Sequence, residues 1–128
     1  MTADTNKKIL IVEDDQHIRK LFNILVRKDG IDIDEAVEGN EALEKLHANR
    51  YDLVILDIMM PNVDGFSILK DMRERPETAQ VPVIVVTAKT EDKDLMKGYS
   101  LGANYYITKP FEPQDLIHSI ELILKVKY

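Results

Sequence analysis

The chain has 128 residues, room for one domain with a proper core, and its formal charge of −6 is the wrong sign for a groove that binds nucleic-acid phosphates. It carries no cysteine, which excludes disulfides and thiolate chemistry, and its three histidines lie too far apart in sequence to suggest a zinc site. No apolar run approaches the roughly 20 residues of a membrane span, and the polar start Met1 to Asn6 lacks a signal-peptide core, so a cytoplasmic protein is expected.

Lys8 leads into Ile9-Leu10-Ile11-Val12, an apolar run that stops at Glu13-Asp14-Asp15. This is a buried strand meeting an acidic loop. Ile18, Leu21, Phe22, Leu25 and Val26 then recur at helical spacing, and Gly30 is expected to stop that helix. Ile31-Asp32-Ile33-Asp34 alternates as a strand with one wetter face does, which suits a sheet edge. Gly39-Asn40 opens a short helix with Leu43 and Leu46 inward, and Asn40 is suited to its N-cap.

Leu53-Val54-Ile55-Leu56 runs directly into Asp57, and a turn segment with Pro61, Asn62 and Asp64 follows up to Gly65. A strand apolar on both faces belongs in a parallel sheet covered by helices, which puts Asp57 at the carboxyl edge, where open α/β sheets bind ligands. The next helix starts near Gly65, carries Phe66, Leu69 and Met72, and ends before Pro76. Pro82 precedes Val83-Ile84-Val85-Val86-Thr87-Ala88, a β-branched run ending in a hydroxyl. Glu91 to Leu101 reads as a helix with Leu95 and Tyr99 inward, and Gly102 is placed to serve as its left-handed cap. A short strand over Asn104 to Pro110 ends in the cation Lys109, and Leu116, Ile120, Ile123 and Leu124 mark a last helix starting near Pro113. Five alternating pairs specify an α/β fold, a parallel sheet with right-handed crossovers and helices on both faces. One domain over 1–128 is expected, with 1–6 a short polar tail.

In such a sheet every carboxyl end lies on one edge, so Glu13, Asp14, Asp57, Thr87 and Lys109 can converge. Three close carboxylates repel, and a hard divalent ion such as Mg²⁺ resolves the conflict. Asp14 and Asp57 are the expected direct ligands, with Glu13 acting through water and the Met59 main-chain oxygen a further donor. Lys109 supplies a point positive charge and Thr87 a hydroxyl. With the metal, these meet the needs of a phosphoryl group, and Asp57 is then the nucleophile that forms an acyl phosphate. Taken singly, each residue has a plainer explanation: a solvated helix cap for Glu13-Asp14-Asp15, a turn for Asp57, a cap for Thr87, a surface lysine for Lys109. Their joint placement at the ends of separate apolar strands favours the phosphoryl site. His17, His47 and His118 receive no role, and the pairs Arg19-Lys20 and Arg27-Lys28 read as a solvated helix face.

Ile9-Leu10-Ile11-Val12-Glu13-Asp14, Leu56-Asp57-Ile58-Met59-Met60-Pro61, Val86-Thr87-Ala88 and Tyr106-Ile107-Thr108-Lys109-Pro110-Phe111 together resemble a receiver domain of two-component response regulators, close in size to the single-domain chemotaxis type. The resemblance covers the whole chain. It implies a doubly wound, flavodoxin-like sheet in the order 2-1-3-4-5 and a cis Lys109–Pro110 bond. It implies that Asp57 accepts phosphate from a histidine kinase or a histidine phosphotransfer protein, with Mg²⁺ required and Mn²⁺ able to substitute. Thr87 and Ala88 would bind the phosphoryl group. Thr87 would turn toward it while Tyr106 moves inward, changing the face made by the fourth helix, fifth strand and fifth helix in a two-state switch. Met59 and Lys89 resemble positions that tune dephosphorylation. Glu in place of Asp at position 13 is a common variant of the family.

Other readings fit less well. A phosphatase of the haloacid-dehalogenase class uses a second Asp two residues after the nucleophile, where this chain has Met59, so a turnover enzyme is not expected. A flavodoxin-like mononucleotide carrier would not place Glu13-Asp14-Asp15 where phosphate sits. A degenerate receiver acting as a scaffold is opposed by the complete acid, Thr and Lys set. No output region follows Tyr128, so signalling by protein contact is expected, to a separate target or along a phosphorelay, without nucleic acid or membrane. A monomer or a phosphorylation-dependent homodimer, and a chain cut from a longer regulator, are the open alternatives.

Overall fold

The structure, a computed structural model, describes residues 6–60, 63–89 and 91–128. Its elements run β1 (Lys7–Val12), α1 (Gln16–Val26), β2 (Ile31–Ala36), α2 (Gly39–Ala48), β3 (Leu53–Leu56), α3 (Gly65–Glu74), β4 (Val83–Thr87), α4 (Asp92–Ser100), β5 (Tyr105–Thr108) and α5 (Pro113–Leu124). The strands form one parallel sheet in the order β2-β1-β3-β4-β5, as the resemblance implied.

Alternation along the strands builds two cores. Ile9, Ile11, Leu53, Ile55, Ile84 and Val86 point to the face covered by α1 and α5, where they meet Phe22, Val26, Leu116 and Ile120. Leu10, Val12, Val54, Leu56, Val83 and Val85 point to the other face, against Leu46, Ile68, Leu69 and Met72. Every residue of β3 and β4 is buried, which explains their unbroken apolar runs. β2 is the wetter edge strand and extends to Ala36, two residues further than its alternation indicated. Pro113 occupies the first turn of α5. Among the described residues no helix is long and apolar enough to cross a membrane.

Several local expectations need correction. α1 ends at Val26, short of Gly30, whose φ of +85° turns the chain into β2 and whose carbonyl accepts from the Lys7 N–H at 2.8 Å. Asn40 lies inside the first turn of α2 and not at its N-cap, which is Glu38; the Glu41 carboxylate instead accepts from the Val37 N–H at 2.7 Å. Tyr99 is not inward: it is 49% exposed, because Gly98 is the only buried residue of α4 and the helix rests on β5 along a narrow line. The Pro61-Asn62 turn and the tail residues 1–5 lie outside the described residues.

Gly102 does cap α4 in the left-handed conformation, with φ +95°. Its N–H donates to the Tyr99 carbonyl and the Ala103 N–H to the Gly98 carbonyl, both at 2.9 Å, which is a Schellman closure. Arg73 of α3 anchors that end. Its Nη1 donates to the carbonyls of Thr78 (3.2 Å), Ala79 (3.1 Å) and Val81 (2.8 Å), and its Nη2 to Gly102 (2.8 Å). One guanidinium thereby ties α3, the α3–β4 loop and the end of α4 together. Arg73→Met leaves those carbonyls to be satisfied by water, and the expected loss of unfolding free energy in a urea titration is about 2 kcal/mol. A loss near zero would show that water replaces the guanidinium fully.

Candidate functional site

The carboxyl edge of the sheet carries the charge. Asp57 is the first residue after β3, its N–H donating to the Val12 carbonyl at 3.0 Å, and only 4% of it is exposed. Glu13 is the first residue after β1, its N–H donating to the Ala36 carbonyl at 3.1 Å, and 1% of it is exposed. Asp14 beside it is exposed. Oxygens of these three carboxylates lie within 4.8 Å of one another.

Lys109, the first residue after β5, reaches across the edge to them. Its Nζ donates to Glu13 Oε1 at 2.8 Å and to Asp57 Oδ2 at 3.1 Å. Its own N–H donates to the Thr87 carbonyl at 2.8 Å, and its bond to Pro110 is cis. The remaining Asp57 oxygen, Oδ1, accepts from the Met59 N–H at 2.9 Å, and Glu13 Oε2 accepts from the Asp15 N–H at 3.1 Å. Both carboxylates are therefore fixed at both oxygens. The acidic run is divided in its work: Asp15 caps α1, accepting from the N–H groups of His17 (2.8 Å) and Ile18 (3.0 Å), while Glu13 and Asp14 face the site.

Thr87 is buried at the end of β4, on the same edge, where its hydroxyl accepts a long bond of 3.5 Å from the Lys89 N–H. The Tyr106 hydroxyl donates to the Lys89 carbonyl at 2.9 Å. Met59 is half exposed and Ala88 exposed beside the site. Of the histidines, His47 pairs its ring with Asp71 at 2.9 Å on the α2–α3 side. One contributor escaped the sequence reading. Arg19, assigned there to a solvated face, donates from Nη1 to the carbonyls of Glu13 (3.0 Å) and Asp14 (3.4 Å) and pairs with Glu35 at 3.1 Å, holding the acidic loop from below. Its place one turn into the helix after that loop was the available signal.

Burial, above all, pushes the Glu13 carboxyl up to about 7. The hydrogen bond from Lys109 opposes this, the charge of Asp57 adds to it, and the Asp15 N–H and the Lys109 charge pull it back. Burial also works against the Lys109 charge, but its bond to Glu13 and the charges of Asp57 and Glu13 outweigh that and hold its pKa above the ordinary value. Three carboxylates against one ammonium leave the edge short of positive charge. The donors are all hard oxygens, which is the chemistry that Mg²⁺ or Mn²⁺ takes and zinc or copper does not favour.

Because the folded-state pKa of Glu13 lies above its unfolded value, the stability linked to this group is present below pH 4.5 and is lost as pH rises through about 7. Without metal, Glu13→Gln is therefore expected to gain on the wild type in urea midpoint between pH 5 and pH 8. A difference that stays flat over that interval would contradict the raised pKa.

The family model described as the response regulator receiver domain matches residues 9–121. The transcriptional regulatory protein ResD of Bacillus subtilis is 38% identical over 126 residues, a match that covers 98% of this chain and 51% of that protein. The chain spans about half the length of the curated relatives it matches. Among solved structures, the Francisella response regulator 1452 receiver domain is 34% identical with a TM-score of 0.85, covering 94% of this chain and 98% of that one. The signal receiver domain of a DNA binding response regulator protein from Colwellia psychrerythraea is 29% identical with a TM-score of 0.89, covering 94% of this chain and all of that one (100%). With its sheet order and its acidic edge, the chain belongs to the response regulator receiver family of two-component signalling.

Proposed function

We propose that this chain is a phosphorylation-controlled switch in which Asp57 accepts a phosphoryl group from a phosphohistidine of a kinase or phosphotransfer protein. The observation that supports it most is the meeting of Glu13, Asp14, Asp57 and Lys109 at one edge, delivered by the ends of three different strands, β1, β3 and β5. An Asp57 carboxylate oxygen attacks phosphorus, the N–P bond breaks, and its electron pair goes to the imidazole nitrogen. Water later attacks the acyl phosphate, the O–P bond breaks, and Asp57 returns as the carboxylate while inorganic phosphate leaves. No other substrate turns over.

Receiver domains bind Mg²⁺ at an acidic pocket, and here Asp14, Asp57 and the Met59 main-chain oxygen would hold it, with Glu13 acting through water. When bound, the ion supplies positive charge against the phosphoryl oxygens. Lys109 adds its own charge beside the Asp57 oxygen it already contacts. Thr87 and Ala88 receive the remaining phosphoryl oxygens, and the movement of Thr87 is read by Tyr106, altering the α4, β5 and α5 face for a partner. That partner is a separate protein or a region joined to the same polypeptide; the half-length match to proteins named transcriptional regulators favours the second source. We place the protein in the cytoplasm as one domain, monomeric or dimerising on phosphorylation.

Incubation with acetyl phosphate followed by intact mass measurement tests the chemistry. A single adduct that requires Mg²⁺ or Mn²⁺ and is absent from Asp57→Asn is the expected result. An unmodified mass under every condition would instead support a scaffold that works without phosphate. Met59 lies two residues beyond Asp57 and Lys89 two beyond Thr87, and replacing both is expected to change the first-order loss of the adduct several-fold; an unaltered decay rate would remove them from the tuning role.

A further inference from the structure

Gly98 stands in the middle of α4 with ordinary helical backbone, where alanine would hold the helix better, and it is the one buried residue of that helix. A glycine there needs a local reason. The ring of Tyr106 supplies it: a Cβ at Gly98 would lie 2.8 Å from Tyr106 Cδ2, 3.0 Å from its Cε2, and 3.8 Å from Cε1 of Phe66. The phenol therefore lies against bare helix backbone. Its two polar ends are held as well, the hydroxyl donating to the Lys89 carbonyl at 2.9 Å and the backbone N–H to the Tyr99 hydroxyl at 3.2 Å. Lys89 in turn reaches Thr87 Oγ1 through its N–H at 3.5 Å. A short path thus runs from the buried threonine, through the Lys89 backbone and the phenol, to the backbone of α4.

We propose that Gly98 is a positioning residue of the switch: the side chain it lacks is the space that lets Tyr106 lie inward, so residue 98 sets the balance between the inward and the solvent-facing ring. The inference rests on the reading of Tyr106 as the element that responds to Asp57. A methyl group at 98 has to displace either the ring or the helix. The helix is the harder of the two to move at its far end, where Arg73 grips the Gly102 carbonyl at 2.8 Å and the Schellman closure ties Ala103 to the Gly98 carbonyl itself. Tyr106 has an open direction, since β5 is an edge strand and its residues are only half buried. The ring yields.

The test is a double-mutant cycle read by urea midpoint, with ring position followed by NMR of tyrosine-labelled protein and assigned through Tyr106→Phe. Gly98→Ala is expected to lower the midpoint when Tyr106 is present and to raise it in a Tyr106→Ala background, where only helix propensity remains. The Tyr106 ring signals are expected to shift in Gly98→Ala toward those of an exposed tyrosine, while the Asp57 adduct still forms, because residue 98 does not touch the carboxylates. A Gly98→Ala effect of the same sign in both backgrounds, or ring signals that stay in place, would overturn the proposal. A wild type that takes no adduct would defeat the phosphoryl reading alone, and the sign reversal would still decide the role of Gly98.

Discussion

Two buried carboxylates, Glu13 and Asp57, and an exposed third, Asp14, are held against their mutual repulsion, and the rest of the molecule is arranged around that constraint. Neither buried group could stay in place by itself. β1 and β3 pair in register with Val12 opposite Leu56, so the residue after each strand arrives at the same height on the edge. The Asp57 N–H bonding to the Val12 carbonyl continues that ladder one step beyond the strands and fixes the spacing. Lys109 then supplies the nearest compensating charge, delivered from β5 across the width of β4. Removing that ammonium would leave buried negative charge without a partner, which is far costlier than the loss of a surface ion pair.

The same arrangement makes the edge a cluster of hard oxygen donors that could hold a divalent ion. Glu13 carries the cost of that burial: desolvation, above all, pushes its carboxyl up to about 7. β1 and β3 carry the buried carboxylates, while β5 and α4, on the far side of β4, are less deeply buried. β5 is half buried throughout and α4 buries a single glycine.

Much of this was legible in the sequence because the apolar runs end abruptly in charge. Leu53-Val54-Ile55-Leu56 followed by Asp57, and Ile9 to Val12 followed by Glu13, specify both a buried strand and what stands at its end. Local patterns were weaker where two elements compete for the same residues. Tyr99 falls at helical spacing from Leu95, yet α4 is buried only at Gly98, so the ring stays half exposed at the sheet edge, where its hydroxyl accepts from the Tyr106 N–H. Asn40 has the chemistry of an N-cap, but Glu41 reaching back to Val37 starts the helix earlier. Arg73 and Arg19 look like any helix-surface cations in sequence. Their work is to satisfy carbonyls of loops far from them along the chain or folded beneath them, which no periodicity reveals.

The proposed switch turns on a covalent bond to one residue, and the most direct measurement is to locate it. Borohydride reduces an acyl phosphate of aspartate to homoserine, so the protein can be treated with acetyl phosphate and Mg²⁺, reduced, digested and mapped by peptide mass spectrometry. Homoserine at position 57, formed only after phosphodonor treatment, is the expected result. Homoserine at Asp14 or another carboxylate, or no conversion in a protein that is folded and metal-loaded, would contradict it.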